Sequence, residues 1–426
     1  MNSDGMISVE EARERILDVI ARLPVEAKPL AQALGQVLAE DVTSPLTIPP
    51  LDNTGMDGYA VRAVDTDGAS DASPRTLRII GEVAAGYIFD GEVAPGTAVR
   101  IMTGAPIPRG ADSVVPFEET DEPEGRVFGR FAKGRDAVGI LKAARPGANV
   151  RRAGEDVQRG SMVMRAGTEL RAAQIGVLAS LGMSSVRVYR RPVIAILSTG
   201  DELLEIGQPP EEGKIYDSNA YSIAALVSEA GGIPLSLGIA RDTIEDLTEK
   251  VHRGVEADML ITTAGVSRGD YDVVKDVLLK EGEVGFWTVR MRPGKPLAFG
   301  SFPAPDGRRV PHLGLPGNPV SSMVAFELFG RPAVYKMMGK AHWERPVLRV
   351  TVEERVRNED GRRFLARAIV REREGRYFAS LTGPQGSGIL TSMALANALV
   401  VCPEDIASLE PGDEADAIML GPVAGS

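Results

Sequence analysis

Apolar residues at Ala12, Ile16, Val19, Ile20 and Leu23 repeat at the spacing of one helix face, and Ser8-Val9-Glu10-Glu11 ahead of them has the form of a capping box. A helix is therefore expected to start at Ser8 and to stop at Pro24, which cannot continue it. A second short helical stretch is expected around Leu30 to Leu38. It leads into Thr43-Ser44-Pro45-Leu46-Thr47-Ile48-Pro49-Pro50, where the prolines forbid helix and predict an extended linker with a boundary near residue 48. From there to about residue 149, Gly and Pro are frequent. Short runs such as Leu77-Arg78-Ile79-Ile80 and Thr97-Ala98-Val99-Arg100-Ile101 predict an all-β domain. A short helix around Ala172 to Leu181 and the run Ser185-Val186-Arg187-Val188-Tyr189 follow, and this piece is expected to pack back on the N-terminal helix as one discontinuous domain.

Between 192 and 336 the pattern alternates. Val193-Ile194-Ala195-Ile196-Leu197 is a buried strand by its continuous apolar run, followed by Ser198-Thr199-Gly200-Asp201-Glu202 and a helix from about Ser218 to Ala230. Leu235 to Ile239 runs into Arg241-Asp242 and a helix from Thr243 to Arg253. Asp258-Met259-Leu260-Ile261-Thr262 runs into a Gly-containing loop and a helix from about Val273, and Val320 to Phe329 predicts one more. Such alternation implies a doubly wound parallel sheet with helices on both faces. The runs Val347 to Val352, Tyr377 to Leu381 and Ala398 to Val401 predict a small C-terminal β-domain. The expected class is multidomain α/β plus β, divided as 1-47 with 150-189, 48-149, 190-336 and 337-426. A length of 426 residues alone suggests roughly three domains; the split segment raises the count to four.

Charge narrows the functions available. The formal net charge of -11 argues against wrapping nucleic acid or lying on an anionic membrane, so any anionic ligand needs a local basic patch. Cys402 is the only cysteine, which excludes an internal disulfide or a Cys-rich zinc site and suits a reducing cytoplasm. His252, His312 and His342 fall in no metal-ligand spacing, so a metal would be held by carboxylates. No apolar run reaches the length of a membrane span, and Met1-Asn2-Ser3-Asp4-Gly5 lacks the start of a signal peptide. A cytoplasmic protein is expected.

Ligands of doubly wound sheets bind beyond the carboxyl ends of the strands. Asp201 and Glu202 follow one such strand, Asp242 a second, and Asp270 and Asp272 a third, in Thr262-Thr263-Ala264-Gly265-Val266-Ser267-Arg268-Gly269-Asp270-Tyr271-Asp272. Any one of them is equally well read as a helix cap; together they favour a site for Mg²⁺, a hard cation that takes carboxylates plus phosphate oxygens. Arg290, Arg292 and Lys295 form a compact cationic segment stiffened by prolines, read either as a solvated turn or as the anchor of an anionic substrate bridged to the metal. Leu315-Pro316-Gly317-Asn318-Pro319 is a helix start whose amides also suit an oxyanion.

Taken in order, Met56-Asp57-Gly58-Tyr59-Ala60-Val61-Arg62, Arg100-Ile101-Met102-Thr103-Gly104-Ala105, Arg151-Arg152-Ala153-Gly154-Glu155-Asp156, Ser198-Thr199-Gly200-Asp201-Glu202-Leu203, Gly265-Val266-Ser267, Pro293-Gly294-Lys295-Pro296 and Leu315-Pro316-Gly317-Asn318-Pro319 resemble the MoeA and gephyrin E-domain family of molybdopterin molybdenumtransferases. Each motif alone is modest; seven in order span nearly the whole chain. The resemblance implies an elongated homodimer of four-domain subunits: a discontinuous domain, an inserted β-domain, an α/β domain of molybdopterin-binding type and a C-terminal β-barrel. It implies that adenylylated molybdopterin and molybdate bind as substrates, that the phosphoanhydride is hydrolysed with a divalent metal, and that molybdenum reaches the dithiolene with release of AMP. A molybdopterin adenylyltransferase and molybdoenzyme maturation proteins are implied as partners.

By position the resemblance puts Asp201, Glu202, Asp242 and Asp272 in the metal and nucleotide pocket, Ser267 on its loop, and Arg292 and Lys295 on phosphate or molybdate. Pro316 and Pro319 shape the oxyanion turn. Asp57, Thr103, Arg151 and Asp156 form a second group brought in from the other subunit, and Arg367 and Ser387 lie where the barrel approaches the site. Two positions depart from the pattern: Ala264 stands where a second glycine is common, and Arg268 where an apolar residue is usual. Two other readings stay open: a non-catalytic scaffold on the same fold, and an adenylyltransferase.

Overall fold

The computed structural model describes residues 5–122, 135–265 and 273–425. By compactness the chain divides into two units, Met1–Glu40, Gly167–Gly176 and Met183–Ser426 in one, Asp41–Ala166 and Val177–Gly182 in the other.

In the larger unit the apolar runs become the strands of one mixed sheet: β1 (Val193–Thr199), β2 (Ile233–Ala240), β3 (Met259–Thr263), β4 (Glu283–Thr288), β5 (Pro296–Pro303) and β6 (Arg309–Leu315). Their order is β2-β1-β3-β6-β5-β4. The first four in that order run parallel, and β5 and β4 complete the sheet antiparallel. Parallel strands are covered on both faces, so their sequences are continuously apolar rather than alternating. Ile194, Ile196, Met259 and Ile261 point into one core, and Ala195, Leu197 and Leu260 into another on the opposite face. The helices begin where their caps require. Asp217 accepts from the Ala220 N–H at 3.0 Å ahead of Ser218–Glu229, and Thr243 caps Ile244–Gly254.

The N-terminal helix, Val9–Val19, starts as expected, with the Ser8 hydroxyl accepting from the Glu11 N–H at 3.0 Å. Val9, Ala12 and Ile16 join the same core as Ile194 and Leu365. The second expected helix is only the 3-10 turn Leu30–Gln32. Gly35 adopts a φ of 77° that no helix continues, and Gln36 turns inward to donate to the Tyr189 carbonyl at 3.0 Å. Val25–Pro29 pairs antiparallel with Ser185–Tyr189, joining two segments far apart in sequence.

The helix expected from Val320 to Phe329 continues further, as Pro319–Ala325, a π-turn at Phe326–Gly330, and Arg331–Met337. Pro332 has no N–H to give to the turn before it, which accounts for the wider spacing there. Beyond it Val347–Val352, Arg363–Arg373, Arg376–Leu381, Ala398–Cys402 and Glu414–Met419 close into a five-stranded barrel, since Arg363–Arg373 pairs with both Arg376–Leu381 and Ala398–Cys402. Arg363–Arg373 pairs with Arg376–Leu381 only from Ala368 on, so its first residues keep one edge open. A short strand, Met291–Arg292, adds in parallel to Arg363–Arg373 and so carries the basic loop of the α/β sheet onto the barrel.

The smaller unit holds a five-stranded sheet in the order Ser113–Pro116, Gly58–Val61, Thr97–Ile101, Arg75–Val83 and Ala137–Ile140. The strand Gly58–Val61 is buried throughout. A Cβ on Gly58 would lie 2.0 Å from the Val115 carbonyl oxygen, so the glycine after Asp57 is a packing requirement.

His312, on β6, is completely buried; it meets Thr262 Oγ1 at 3.0 Å, and its Nδ1 has no partner among the described residues. Burial pushes its pKa down to about 3 from 6.5. The unfolded chain therefore binds more protons than the folded one below pH 6.5. Stability is full above that pH and falls by about 1.4 kcal/mol per pH unit towards pH 3 from this group alone. In urea titrations at pH 7, 6, 5 and 4, His312→Leu is expected to lose that part of the acid slope; an unchanged slope would count against it.

Candidate active-site cleft

The carboxyl ends of β1, β3 and β6 are pinned side by side. Thr199 Oγ1 donates to the Thr263 carbonyl at 3.2 Å, Thr263 Oγ1 to Ser198 Oγ at 3.0 Å, and the Ala264 N–H to the Leu315 carbonyl at 3.0 Å. After β1 the chain turns at Gly200, where a Cβ would meet the Glu202 carboxylate at 2.4 Å, so Glu202 can fold back over the strand end. The Asp242 N–H donates to Asp201 Oδ1 at 3.5 Å, which brings the loops after β1 and β2 together. After β3 both Ala264 and Gly265 take left-handed conformations, with φ of 74° and 71°. The alanine at the unusual position thus holds the backbone a glycine would adopt, at a cost of about 1 kcal/mol. Ser267, Asp270 and Asp272, with Arg268, lie outside the described residues.

These strand ends form one wall of a cleft of about 880 Å³ that Glu202, Ala264 and Gly265 line, with the loops Arg292–Pro296 and Pro316–Pro319. The barrel supplies the other wall through Arg362, Phe364 and Gln385–Ser387. The structure therefore brings together Glu202, Arg292, Lys295, Pro316, Pro319 and Ser387. Asp201 and Asp242 are exposed on adjoining loops.

The cationic residues differ in what they can still bind. Arg292 stacks over Phe364, its guanidinium carbon 4.0 Å from the ring centre, and donates to the Arg357 carbonyl at 2.9 Å. Arg367 is fully buried behind the cleft wall, so it acts on the cleft through the Gly386 carbonyl, to which it donates at 2.9 Å, rather than by direct exposure. Burial, and secondarily the Arg292 cation, push its pKa down to about 10. The Val320 N–H after the Pro316–Pro319 turn donates to the Ser387 carbonyl at 3.1 Å, and prolines 316 and 319 have no N–H, so only Gly317 and Asn318 can offer main-chain amides there.

Sequence reasoning missed three contributors. Arg362 lines the cleft, but its place on a barrel loop has no local signature. Gln385 lines it too and clamps Arg367, accepting from its N–H at 2.8 Å and donating to its carbonyl at 3.1 Å. Asn219 donates to the Gly317 carbonyl at 2.7 Å and holds the turn; Asp217-Ser218-Asn219 at a helix start was the available signal.

Among the described residues no three His, Cys, Asp or Glu side chains converge as metal ligands. Mg²⁺ is commonly held by one or two carboxylates with substrate phosphates and water. The adjoining Asp201 and Asp242 fit that use, and not an all-protein cage.

In the smaller unit Asp57 Oδ1 accepts from both the N–H and Oγ1 of Thr103, at 2.6 and 2.8 Å, so these two predicted residues do meet, with Asp57 half-buried and Thr103 exposed. Arg151 lies on a short strand paired with Asn53–Thr54, and its Nε is 3.3 Å from where a Gly55 Cβ would be. Asp156 is exposed and donates its N–H to the Ile48 carbonyl at 3.1 Å.

Comparison with known proteins agrees along the whole chain. Residues 7–182 match the MoeA N-terminal region (domain I and II), 195–336 a probable molybdopterin binding domain, and 349–420 the MoeA C-terminal region (domain IV). A molybdopterin molybdenumtransferase of Nostoc sp. is 38% identical over 406 residues, 93% of this chain and 90% of that protein. Molybdopterin molybdenumtransferase 2 of Mycobacterium tuberculosis is 37% identical over 416 residues, 96% of this chain and 98% of that protein. The crystal structure of molybdopterin biosynthesis MoeA protein from Pyrococcus horikoshii OT3 superposes with a TM-score of 0.78 at 30% identity, covering 97% of this chain and 100% of that one. With close to the full length matched at this identity, and with the same order of domains, the chain belongs to the MoeA family.

Proposed function

We propose that this protein is a molybdenum insertase of molybdenum cofactor biosynthesis: it takes adenylylated molybdopterin and molybdate, hydrolyses the phosphoanhydride, transfers molybdenum to the dithiolene and releases AMP. The observation that carries this reading is the cleft in which Glu202, at a strand end, shares its walls with Arg292, Lys295 and Arg362. Phosphate and molybdate are anionic throughout the reaction, so fixed cations bind them and stabilise charge that builds up at the reacting phosphorus. Glu202 is assigned to accept the proton of the attacking water. Asp201 and Asp242, joined by Asp272, would hold Mg²⁺, which supplies charge neutralisation at the anhydride. A basic lining on an acidic protein favours this reading over a scaffold that has lost its chemistry.

We further propose a cytoplasmic homodimer in which Asp57, Thr103, Arg151 and Asp156 complete the cleft of the other subunit, with a molybdopterin adenylyltransferase as the supplier of substrate. The half-buried, hydrogen-bonded Asp57 supports this, since a carboxylate held in one orientation by Thr103 and still partly open is ready for a partner group.

The test is AMP release, followed by chromatography, from adenylylated molybdopterin with molybdate and Mg²⁺. The full chain is expected to release AMP, chelation of the metal to stop it, and mixed dimers of Asp57→Ala and Glu202→Ala subunits to regain part of the rate. No release by the unaltered protein sinks the insertase reading; no recovery in mixed dimers removes the second group from a shared site.

A further inference from the structure

One carboxylate bonded to two residues of the cleft wall has no task in the reaction just described. Asp360, on the barrel loop before Arg363–Arg373, accepts through Oδ2 from Arg362 Nη2 at 2.5 Å and from Arg292 Nη1 at 3.4 Å, and through Oδ1 from the Arg362 N–H at 3.3 Å. Both arginines line the cleft. Each also has an anchor independent of Asp360. Arg292 is stacked on Phe364 and bonded to the Arg357 carbonyl, and Arg362 Nη1 donates to the Met291 carbonyl at 3.3 Å. The placement of the two forks therefore does not depend on the carboxylate, and what the carboxylate adds is charge.

That charge has much to offset. Lys295 lines the same cleft, and Arg367 behind it pairs with no carboxylate among the described residues and leaves Nη1 without a partner. Asp360 is the carboxylate bonded to Arg292 and Arg362, and it keeps about a third of its side chain exposed, so it can swing into water. We infer that Asp360 is a built-in counter-anion: it neutralises the Arg292–Arg362 pair while the cleft is empty and is displaced by the tetrahedral oxyanion substrate, so that it sets oxyanion affinity and favours dianions. A monoanion brings no more charge than the carboxylate it replaces; a dianion such as molybdate does. The inference rests on the insertase reading for the identity of the substrate, and its test is independent of turnover.

Calorimetric titration of the full-length protein with sodium molybdate, at constant ionic strength, reads the effect directly. Asp360→Asn is expected to bind molybdate about three- to tenfold more tightly than the unaltered protein, and to gain measurable affinity for perchlorate, a tetrahedral monoanion. Asp360→Glu should keep the original preference. Asp360→Ser serves as a second neutral variant, and melting temperatures confirm that each protein is folded. Unchanged or weaker molybdate binding in folded Asp360→Asn and Asp360→Ser overturns the inference, and weaker binding would make Asp360 a positioning residue. Absence of molybdate binding to all the proteins overturns it as well. If the unaltered protein binds molybdate but releases no AMP, the insertase reading fails while the comparison among variants stands.

Discussion

Lys295→Ala is expected to lower kcat/KM for AMP release by about 100-fold or more, the scale on which single charge-stabilising donors act. Lys295 follows Arg292-Pro293-Gly294 on a loop fixed at both ends, by the Val289 N–H to the Lys295 carbonyl at 2.8 Å and by the pairing of Met291–Arg292 with the barrel. Lys295 is an exposed residue that lines the cleft with Arg292 and Arg362 and forms no ion pair among the described residues. Removing it should therefore break no contact that stabilises the fold, and the melting temperature should hold while activity collapses. Lys295→Arg should restore part of the rate, since the charge returns but the compact ammonium does not. Initial rates and thermal melts on the same preparations separate the two effects. A rate change below about threefold would take Lys295 out of the transition state.

Glu327→Gln is expected to give the largest loss of stability, about 3–5 kcal/mol, measured as the shift of the urea unfolding midpoint. Glu327 is 6% exposed and lies in the π-turn. Its carboxylate accepts from Arg331 Nε at 3.0 Å, from Arg345 Nε at 3.0 Å and from Arg345 Nη2 at 2.8 Å. Neutralising it leaves two guanidiniums without their anion, and Arg331 is itself only 6% exposed. The loss should be largely recovered in Glu327→Gln with Arg331→Met, which removes a stranded charge together with its partner. A cost below about 1 kcal/mol for the single change would mean that water reaches the cluster. Because Glu327 does not line the cleft, AMP release per folded molecule should stay near normal.

The elements with strong local signals were legible in the chain. β1, the cap at Ser8, and the strand ends carrying Asp201, Glu202 and Asp242 follow from continuous apolar runs, from a side chain that satisfies free N–H groups, and from strand–helix alternation. Where a signal depended on distant contacts it failed. Leu30 to Leu38 has helical spacing, but the left-handed Gly35 and the tie of Gln36 to Tyr189 override it. The strand Arg363–Arg373 carries four arginines and is not among the strands expected from the sequence, yet its centre is buried because it is bonded on both sides. The cleft behaved the same way. Glu202 and Lys295 were found by charge and position, whereas Arg362, Gln385 and Asn219 belong to it only because barrel, sheet and turn meet there.

Sequence by itself determined the family, the alternating sheet with its carboxylates at the strand ends, and a basic segment standing out from an acidic chain, since each is written in contiguous residues. Tertiary structure decided which of those charges act on the cleft. It consumed part of Arg292 on Phe364 and the Arg357 carbonyl, withdrew Arg367 behind the wall, and set Asp360 between two cations from separate elements. The reason is that charge interactions depend on distance and burial between groups far apart in the chain, and no local pattern of residues encodes either.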